Sequence, residues 1–88
     1  MNKERRKSID RVINEIEKLK ELYASIVEEV EEIRDEESDY LDNIPENLQG
    51  SDRYYTAEEA VGNLDSAVDS LQEIDFDEIV DYLEEAKA

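Results

Sequence analysis

Apolar side chains recur at alternating spacings of three and four residues along the first part of the chain. This repeat is typical of the a and d positions of a coiled coil, in which one face of a helix packs against a neighbouring helix. It occupies Ile9, Val12, Ile16, Leu19, Tyr23, Ile26, Val30 and Ile33. The pattern predicts a helix that needs a partner surface, but it identifies no substrate, ligand or reaction.

The repeat predicts a first helix over residues 3–42. With Ile9 at position a, the register continues to Tyr40 at d and is interrupted by Glu37 at a. We favour a solvated Glu37 over a buried acid or a register-setting polar group. Further apolar residues fall at e (Ile13, Val27, Leu41) and at g (Leu22). A stripe this wide suits a bundle in which more than one helix contacts the first one.

Pro45 ends this helix, because proline lacks an amide proton and disfavours the α conformation in the preceding residue. Residues 43–52 form a connector, and a second helix covers 53–74. Thr56 and Glu59 have the spacing of a capping box at its start, although residues 53–55 can add an earlier turn. Asp75 and Glu78 repeat this spacing and predict a break near 75, followed by a helix over 75–86. We prefer capping to a calcium loop there, since the later ligands of such a loop are missing.

These segments predict an all-α fold, an antiparallel helical hairpin of coiled-coil type in a single domain of residues 1–88. We expect two hairpins to dimerise into a four-helix bundle. The predicted oligomer core comprises Ile9, Val12, Ile16, Leu19, Tyr23, Ile26, Val30, Ile33, Leu64, Val68 and Leu71. In a hairpin the basic start of the first helix lies beside the acidic end of the chain. We therefore expect ion pairs from Arg5, Arg6 and Arg11 to Asp81, Glu84 and Glu85.

The charge of the chain is large and unevenly distributed. The 88 residues include 27 acidic and 10 basic ones, for a net charge of −17. Residues 1–20 hold seven bases and four acids, so the rest of the chain is strongly acidic. Such a field repels nucleic acid and anionic membranes and favours basic partners. With no cysteine, no signal-peptide pattern and no long apolar run, we expect a cytoplasmic protein.

The residue types that are missing argue against catalysis. The chain has no histidine and no cysteine, and its two glycines form no phosphate-binding loop. Carboxylates are so numerous that no particular pair stands out as a candidate acid and base. We therefore expect neither enzymatic activity nor a metal or cofactor.

The candidate partner-binding residues are a dense acidic cluster and a short aromatic segment. Between residues 28 and 42 nine acids face one base, Arg34, on a helical length of about 22 Å. A DNA duplex of that length carries about 13 charges, so a rigid acidic helix can mimic it. An ordinary solvated face is the alternative that we favour.

For Arg53-Tyr54-Tyr55 we favour packing against the end of the hairpin over binding. The candidates are Glu28, Glu29, Glu31, Glu32, Asp35, Glu36, Asp39, Arg53, Tyr54 and Tyr55.

Residues 40–53 and 57–60, together with the two ends of the chain (1–7 and 82–86), resemble small acidic proteins encoded by bacteriophages and prophages of Gram-positive bacteria. The resemblance depends chiefly on the Asn-x-Pro-Glu-x-Leu-Gln-x-Ser connector, residues 43–51. It implies a helical hairpin and a phage source, and it implies no activity. At 75–77 this chain departs from the straight helix of that group.

Two functions follow as hypotheses. The first is a small acidic protein that binds stoichiometrically to a basic or DNA-binding host protein, as a DNA mimic or anti-defence inhibitor. The second is a structural oligomerisation or scaffold module without a ligand. The acidic cluster would carry the first function, and the apolar stripe would carry the second.

Overall fold

The computed structural model describes residues 1–88 and is helical apart from short connectors and the two ends of the chain, without strands. Helix α1 spans Lys3–Asp42 and is 40 residues long. A short 3-10 turn at Glu46–Leu48 leads to α2, Asp52–Gln72, and α3 covers Phe76–Lys87. The predicted all-α antiparallel hairpin, with its second arm broken near residue 75, is confirmed. None of the helices combines the length and the apolar content that crossing a membrane requires.

Both ends of α1 follow from local hydrogen bonding. At the start, the backbone N–H of Arg5 donates to the side-chain oxygen of Asn2 at 2.8 Å, which satisfies one of the free amides of the first turn. At the end, the N–H of Ile44 donates to the carbonyl of Leu41 at 3.2 Å. Pro45 has no N–H to continue this series, so the helix cannot extend past it.

Helix α2 begins earlier than the capping box at Thr56 predicts, and that prediction is wrong. The helix starts at Asp52, and the Ser51 hydroxyl accepts a hydrogen bond from the N–H of Tyr54 at 3.3 Å. Ser51 is an equally good capping residue, and nothing in Asp52–Tyr55 prevents helix formation. Thr56 therefore lies inside the helix. The earlier turn formed by Arg53, Tyr54 and Tyr55 is confirmed.

The break between α2 and α3 is capped as the sequence predicts. The side chain of Asp75 accepts a hydrogen bond from the N–H of Glu78 at 3.0 Å, so Asp75 is the N-cap of α3. Helix α2 ends at Gln72, two residues before the predicted position. As a result, Ile74 lies outside both helices and is exposed.

The chain divides into two compact units, and the first unit contains residues 1–25 and 74–88. Here the start of α1 packs antiparallel to α3 through half-buried apolar side chains. Lys20 Nζ lies 2.7 Å from Asp77 Oδ1, and Lys87 Nζ lies 2.7 Å from Asp10 Oδ1, which fixes the opposite directions of the two helices. The inner positions are Ile9, Ile13, Ile16, Lys20 and Tyr23 on α1, and Phe76, Val80, Leu83 and Lys87 on α3.

The ion pairs predicted for this unit do not form. Asp81, Glu84 and Glu85 lie on the outer face of α3, because its inner positions are 76, 80, 83 and 87. Lys87 takes their place: it pairs with Asp10 and with Glu84, and its carbonyl accepts a hydrogen bond from Arg6 Nε at 3.0 Å. Charge pairing thus joins the two helices in both senses: Lys20 of α1 pairs with Asp77 of α3 as the expected polarity requires, whereas Lys87 of α3 and Asp10 of α1 reverse it.

The second unit contains residues 26–73, with the end of α1 packed against α2. It holds the three buried apolar side chains of the chain, Ile44, Ala57 and Val68. Arg34 lies 3.5 Å from Asp65 of α2, and Arg53 of α2 contacts Tyr40, so the two helices again run in opposite directions. Half-buried apolar residues complete the contact: Val27, Val30 and Leu41 on α1, and Tyr54, Ala60, Val61, Leu64 and Leu71 on α2.

Candidate interaction surface

The heptad positions of α1 differ systematically in burial. Apart from Glu31 and Ser38 at position b, the half-buried residues of α1 lie at position a, from Ile9 to Glu37, and at position e; Ile44, the next a position, is buried. The e positions carry Ile13, Lys20, Val27, Arg34 and Leu41. Within the chain, the packed face of α1 therefore runs through a and e, whereas the sequence repeat indicates a and d. Glu37, at an a position, is half-buried on this face and not fully solvated as expected.

The basic residues at e explain why sequence reasoning missed this face. Lys20 and Arg34 interrupt the apolar series, yet both have long aliphatic stems that can cover apolar surface while the charged group reaches water. Each also finds a carboxylate on the facing helix, Asp77 for Lys20 and Asp65 for Arg34. The hydrogen bond that Lys20 Nζ donates to Asp77 Oδ1 is the main reason that the pKa of Lys20 is raised. The signal in the sequence is that no acidic residue occurs at any e position.

The d positions of α1 form an exposed apolar series, which we call the d stripe: Val12, Leu19, Ile26, Ile33 and Tyr40. Val12 and Leu19 belong to the first unit, and the other three belong to the second. Their exposed fractions range from 39% to 52%. Apolar residues exposed singly are common on proteins, but a series repeated at every seventh residue of one helix is typical of a helix-packing surface.

Other exposed apolar residues of the first unit accompany this stripe. Leu22, at a g position, is 58% exposed, and Tyr82 of α3 is 65% exposed. Ile79 of α3 is also exposed. Of the predicted oligomer core, the residues at a (Ile9, Ile16, Tyr23 and Val30) are half-buried within the chain, as are Leu64 and Leu71, and Val68 is buried. The members that stay open are those of the d stripe.

The two units differ sharply in charge. The first unit holds eleven acidic and eight basic residues, for a net charge of −3. The second unit holds sixteen acidic residues and two basic ones, Arg34 and Arg53, for a net charge of −14. All the candidate partner-binding residues lie in this second unit.

Most of the acidic cluster is open to solvent and lacks a cation. Glu28, Glu29, Glu32, Asp35, Glu36 and Asp39 are exposed, and Glu31 is half-buried. Arg34 Nε donates a hydrogen bond to Asp35 at 3.2 Å, and this bond is the main cause of the raised pKa of Arg34. Asp35 is the one member of the cluster within ion-pair distance of a base. Nowhere do three or more acidic side chains come together in a group that could hold a metal ion.

The aromatic segment at the start of α2 has two distinct sides. Arg53 Nε donates to the Tyr40 hydroxyl, and its guanidinium carbon lies 5.6 Å from the centre of the Tyr40 ring. Tyr54 is half-buried, which agrees with a packing role. Tyr55 is exposed, and its ring meets that of Tyr54 edge to face with the ring centroids 5.9 Å apart. A cavity of about 220 Å³ lies beside Arg53, lined by Tyr40, Asn43, Ile44, Pro45 and Leu48.

Comparison with models of protein families, with curated proteins and with solved structures finds no match for this chain. The resemblance to small phage proteins therefore stays a prediction. Function has to be argued from the surfaces themselves.

Proposed function

We propose that the protein is a helical self-association module, in which copies of the chain cover one another's d stripe. The observation that carries this proposal is the exposure of all five d positions of α1. The chain's own helices pack on the a and e positions, so the d positions, apart from Tyr40 with its contact to Arg53, are free to contact another chain. Two adjacent packed faces on one helix are the arrangement found in four-helix bundles.

The energetics support association. Burying a Val, Leu or Ile side chain completely contributes about 1.5–3 kcal/mol, so covering a half-exposed one contributes about 1 kcal/mol. A pair of chains would cover ten such side chains. A small domain gains proportionally more from such burial, because a chain of this length buries a modest fraction of its surface alone.

Analytical ultracentrifugation of the protein at tens of micromolar tests this proposal. We expect an oligomer for the wild type and a monomer for the double variant Ile26→Asp and Ile33→Asp. The matched control is Asn14→Asp with Ser66→Asp, which adds the same charge at exposed positions outside the d stripe. Circular dichroism should show unchanged helix content in both variants. A wild-type protein that sediments as a monomer at this concentration contradicts the proposal.

The charge of the second unit supports a second candidate function, the stoichiometric binding of a basic protein. The second unit has a net charge of −14 in 48 residues, and Asp35 is the one ion-paired member of its acidic cluster. These charges create a strong negative field. This field favours a basic or DNA-binding partner, as the resemblance to phage proteins also suggests.

Competition with DNA tests this candidate. A histone-like basic protein bound to a fluorescent DNA duplex serves as the probe, and we expect the wild type to displace the duplex. Neutralising Glu28, Glu29, Glu32 and Glu36 to Gln should weaken displacement much more than neutralising Glu4, Glu15, Glu17 and Glu84, which lie in the first unit. Equal effects of the two sets, or no displacement by the wild type, would exclude the acidic cluster as the binding surface.

A further inference from the structure

The d stripe has a centre, which limits how two copies can meet on it. Its members lie at intervals of seven residues, so Ile26 is the middle one, with Leu19 and Val12 on one side and Ile33 and Tyr40 on the other. All five belong to one continuous helix, α1. If a second copy of α1 runs in the opposite direction with Ile26 against Ile26, every d residue meets a d residue of the other copy.

We propose that the occupant of the d stripe is the d stripe of a second copy, with the two α1 helices antiparallel about a twofold axis at Ile26. This proposal rests on the proposed self-association and adds its geometry. Leu19 then packs against Ile33 of the partner subunit, and Val12 packs against the partner's Tyr40. An isologous contact of this kind closes after two copies, so the assembly is a dimer.

Charge decides between this arrangement and the parallel one. An antiparallel pair places the first unit, with a net charge of −3, beside the second unit of the partner, with −14. A parallel pair places the two −14 units side by side. Charges within the Debye length of about 10 Å repel one another at low to moderate salt, so the parallel pair carries the larger electrostatic penalty.

The c positions, which flank the stripe on its outer side, give the same answer in detail. They carry Arg11 and Lys18 in the first half of α1, Ser25 in the middle, and Glu32 and Asp39 in the second half. All five are exposed. In the antiparallel pair Arg11 lies level with the partner's Asp39, and Lys18 lies level with Glu32 of the partner subunit, to within about 3 Å along the helix axis. In the parallel pair the c positions of the two copies lie on opposite sides of the contact, so these opposite-charge pairs are absent.

The g positions next to the stripe do not reverse this conclusion. Glu15, Glu29 and Glu36 lie there, together with Leu22. The antiparallel pair brings Glu15 near the partner's Glu36, which is unfavourable, but it places Leu22 near Glu29 of the partner subunit. In the parallel pair the g positions of the two copies lie on opposite sides of the contact, so this repulsion is absent. The antiparallel pair still has two kinds of opposite-charge contact at c against one kind of like-charge contact at g, and the balance stays favourable.

Disulfide trapping tests the geometry directly, because the chain has no cysteine of its own. Variants Leu19→Cys and Ile33→Cys are mixed and oxidised. We expect the covalent dimer to form in the mixture and not from either variant alone. In the antiparallel pair two copies of the same cysteine are about 21 Å apart along the axis, far beyond the Cα separation of about 7 Å that a disulfide tolerates. Ile26→Cys alone should also cross-link, since this position lies on the axis.

The outcomes separate the inference from the proposed function. Cross-linking of Leu19→Cys with itself or of Ile33→Cys with itself, with or without the mixed product, overturns the antiparallel geometry while self-association stands. An oligomeric wild type whose variants give no cross-link also overturns it, because the interface then lies elsewhere. A wild type that is monomeric in sedimentation overturns both.

Charge reversal at the c positions gives an independent readout. Arg11→Glu with Lys18→Glu should weaken dimerisation about tenfold, and adding Glu32→Lys with Asp39→Lys in the same chain should restore it. Lys3→Glu with Lys7→Glu changes the net charge equally at exposed positions that lie at neither c, d nor g, and it should weaken dimerisation much less. Failure of the added lysines to restore affinity would contradict the antiparallel pair.

Discussion

The rings of Tyr23 and Phe76 meet edge to face, with centroids 5.0 Å apart and an angle of 74° between their planes. Both side chains are half-buried and lie at inner positions of the first unit. Phe76 is the first residue of α3, directly after its N-cap Asp75. The contact therefore joins the start of α3 to α1 at the point where the second arm of the hairpin restarts.

Replacing Phe76 by Ala should destabilise the protein by about 2–4 kcal/mol. Complete burial of a Phe makes such a truncation cost about 3–5 kcal/mol, and half-burial reduces this figure, while loss of the edge-to-face contact adds about 0.5–1.5 kcal/mol. Urea unfolding followed by circular dichroism at fixed protein concentration measures the change. Phe76→Leu is the control, because it keeps most of the apolar surface and should retain about half of the lost stability. Equal loss in both variants would assign the effect to the aromatic contact alone.

The N-cap of α2 provides a direct contrast between the structure and the capping box in the sequence. Ser51→Ala removes the hydroxyl that accepts from Tyr54 N–H, and it should cost about 1 kcal/mol in unfolding free energy. Thr56→Ala should cost much less, since Thr56 lies inside α2 and Ala has the higher helix propensity. The same urea experiment measures both variants. A larger loss for Thr56→Ala than for Ser51→Ala would move the start of the helix to the predicted position.

The helices of this chain could be predicted because their signals are local. Pro45 ends α1 through its missing N–H, and Asp75 caps α3 through its own carboxylate, so neither depends on distant contacts. The sequence leaves two possible starts for α2, because Ser51 and Thr56 are both good capping residues. The residues between them are compatible with a helix that begins at either one. Sequence alone does not rank two such sites when the intervening turn can form.

The packing partner of each face could not be predicted in the same way. A 3-4 repeat defines a stripe on α1, but Ile13 at e and Val12 at d flank the a positions on opposite sides with similar apolar character. Which side meets the chain's own second arm depends on the other helices. The long stems of Lys20 and Arg34, which occupy inner positions, further disguise the face that is packed within the chain. The d stripe can be identified as open surface only from the structure, in which the chain's own helices cover the a and e positions.

Alkaline pH should remove the ion pairs that join α1 to α3. Hydrogen bonds to Asp77 and to Asp10 raise the pKa of Lys20 and of Lys87, respectively, above the ordinary value of 10.5. A raised pKa means that the stabilisation is fully present below the unfolded value and is lost as pH rises through the folded value.

The stability difference between the wild type and the variant Lys87→Met should therefore be constant below the ordinary pKa of 10.5 and shrink as the pH rises above it. Urea midpoints on both sides of this value measure it. Lys7→Met serves as the control, because Lys7 is exposed and makes no ion pair. Its difference from the wild type should stay small throughout. A Lys87→Met difference that does not change with pH would show that packing of the stem, and not the ion pair, accounts for the contribution of Lys87.

Salt should act in opposite directions on the two proposed functions. Each chain carries a net charge of −17, so two copies repel one another even when some local pairs are favourable. Raising the salt concentration from about 0.05 M to about 0.5 M shortens the Debye length from about 14 Å to about 4 Å and should strengthen self-association several-fold. Binding of a basic protein to the acidic cluster loses attraction under the same conditions and should weaken by a larger factor. Sedimentation and DNA competition, each repeated at both salt concentrations, measure the two effects. Self-association that weakens as salt rises would mean that ion pairs between copies, and not the apolar d stripe, hold the assembly together.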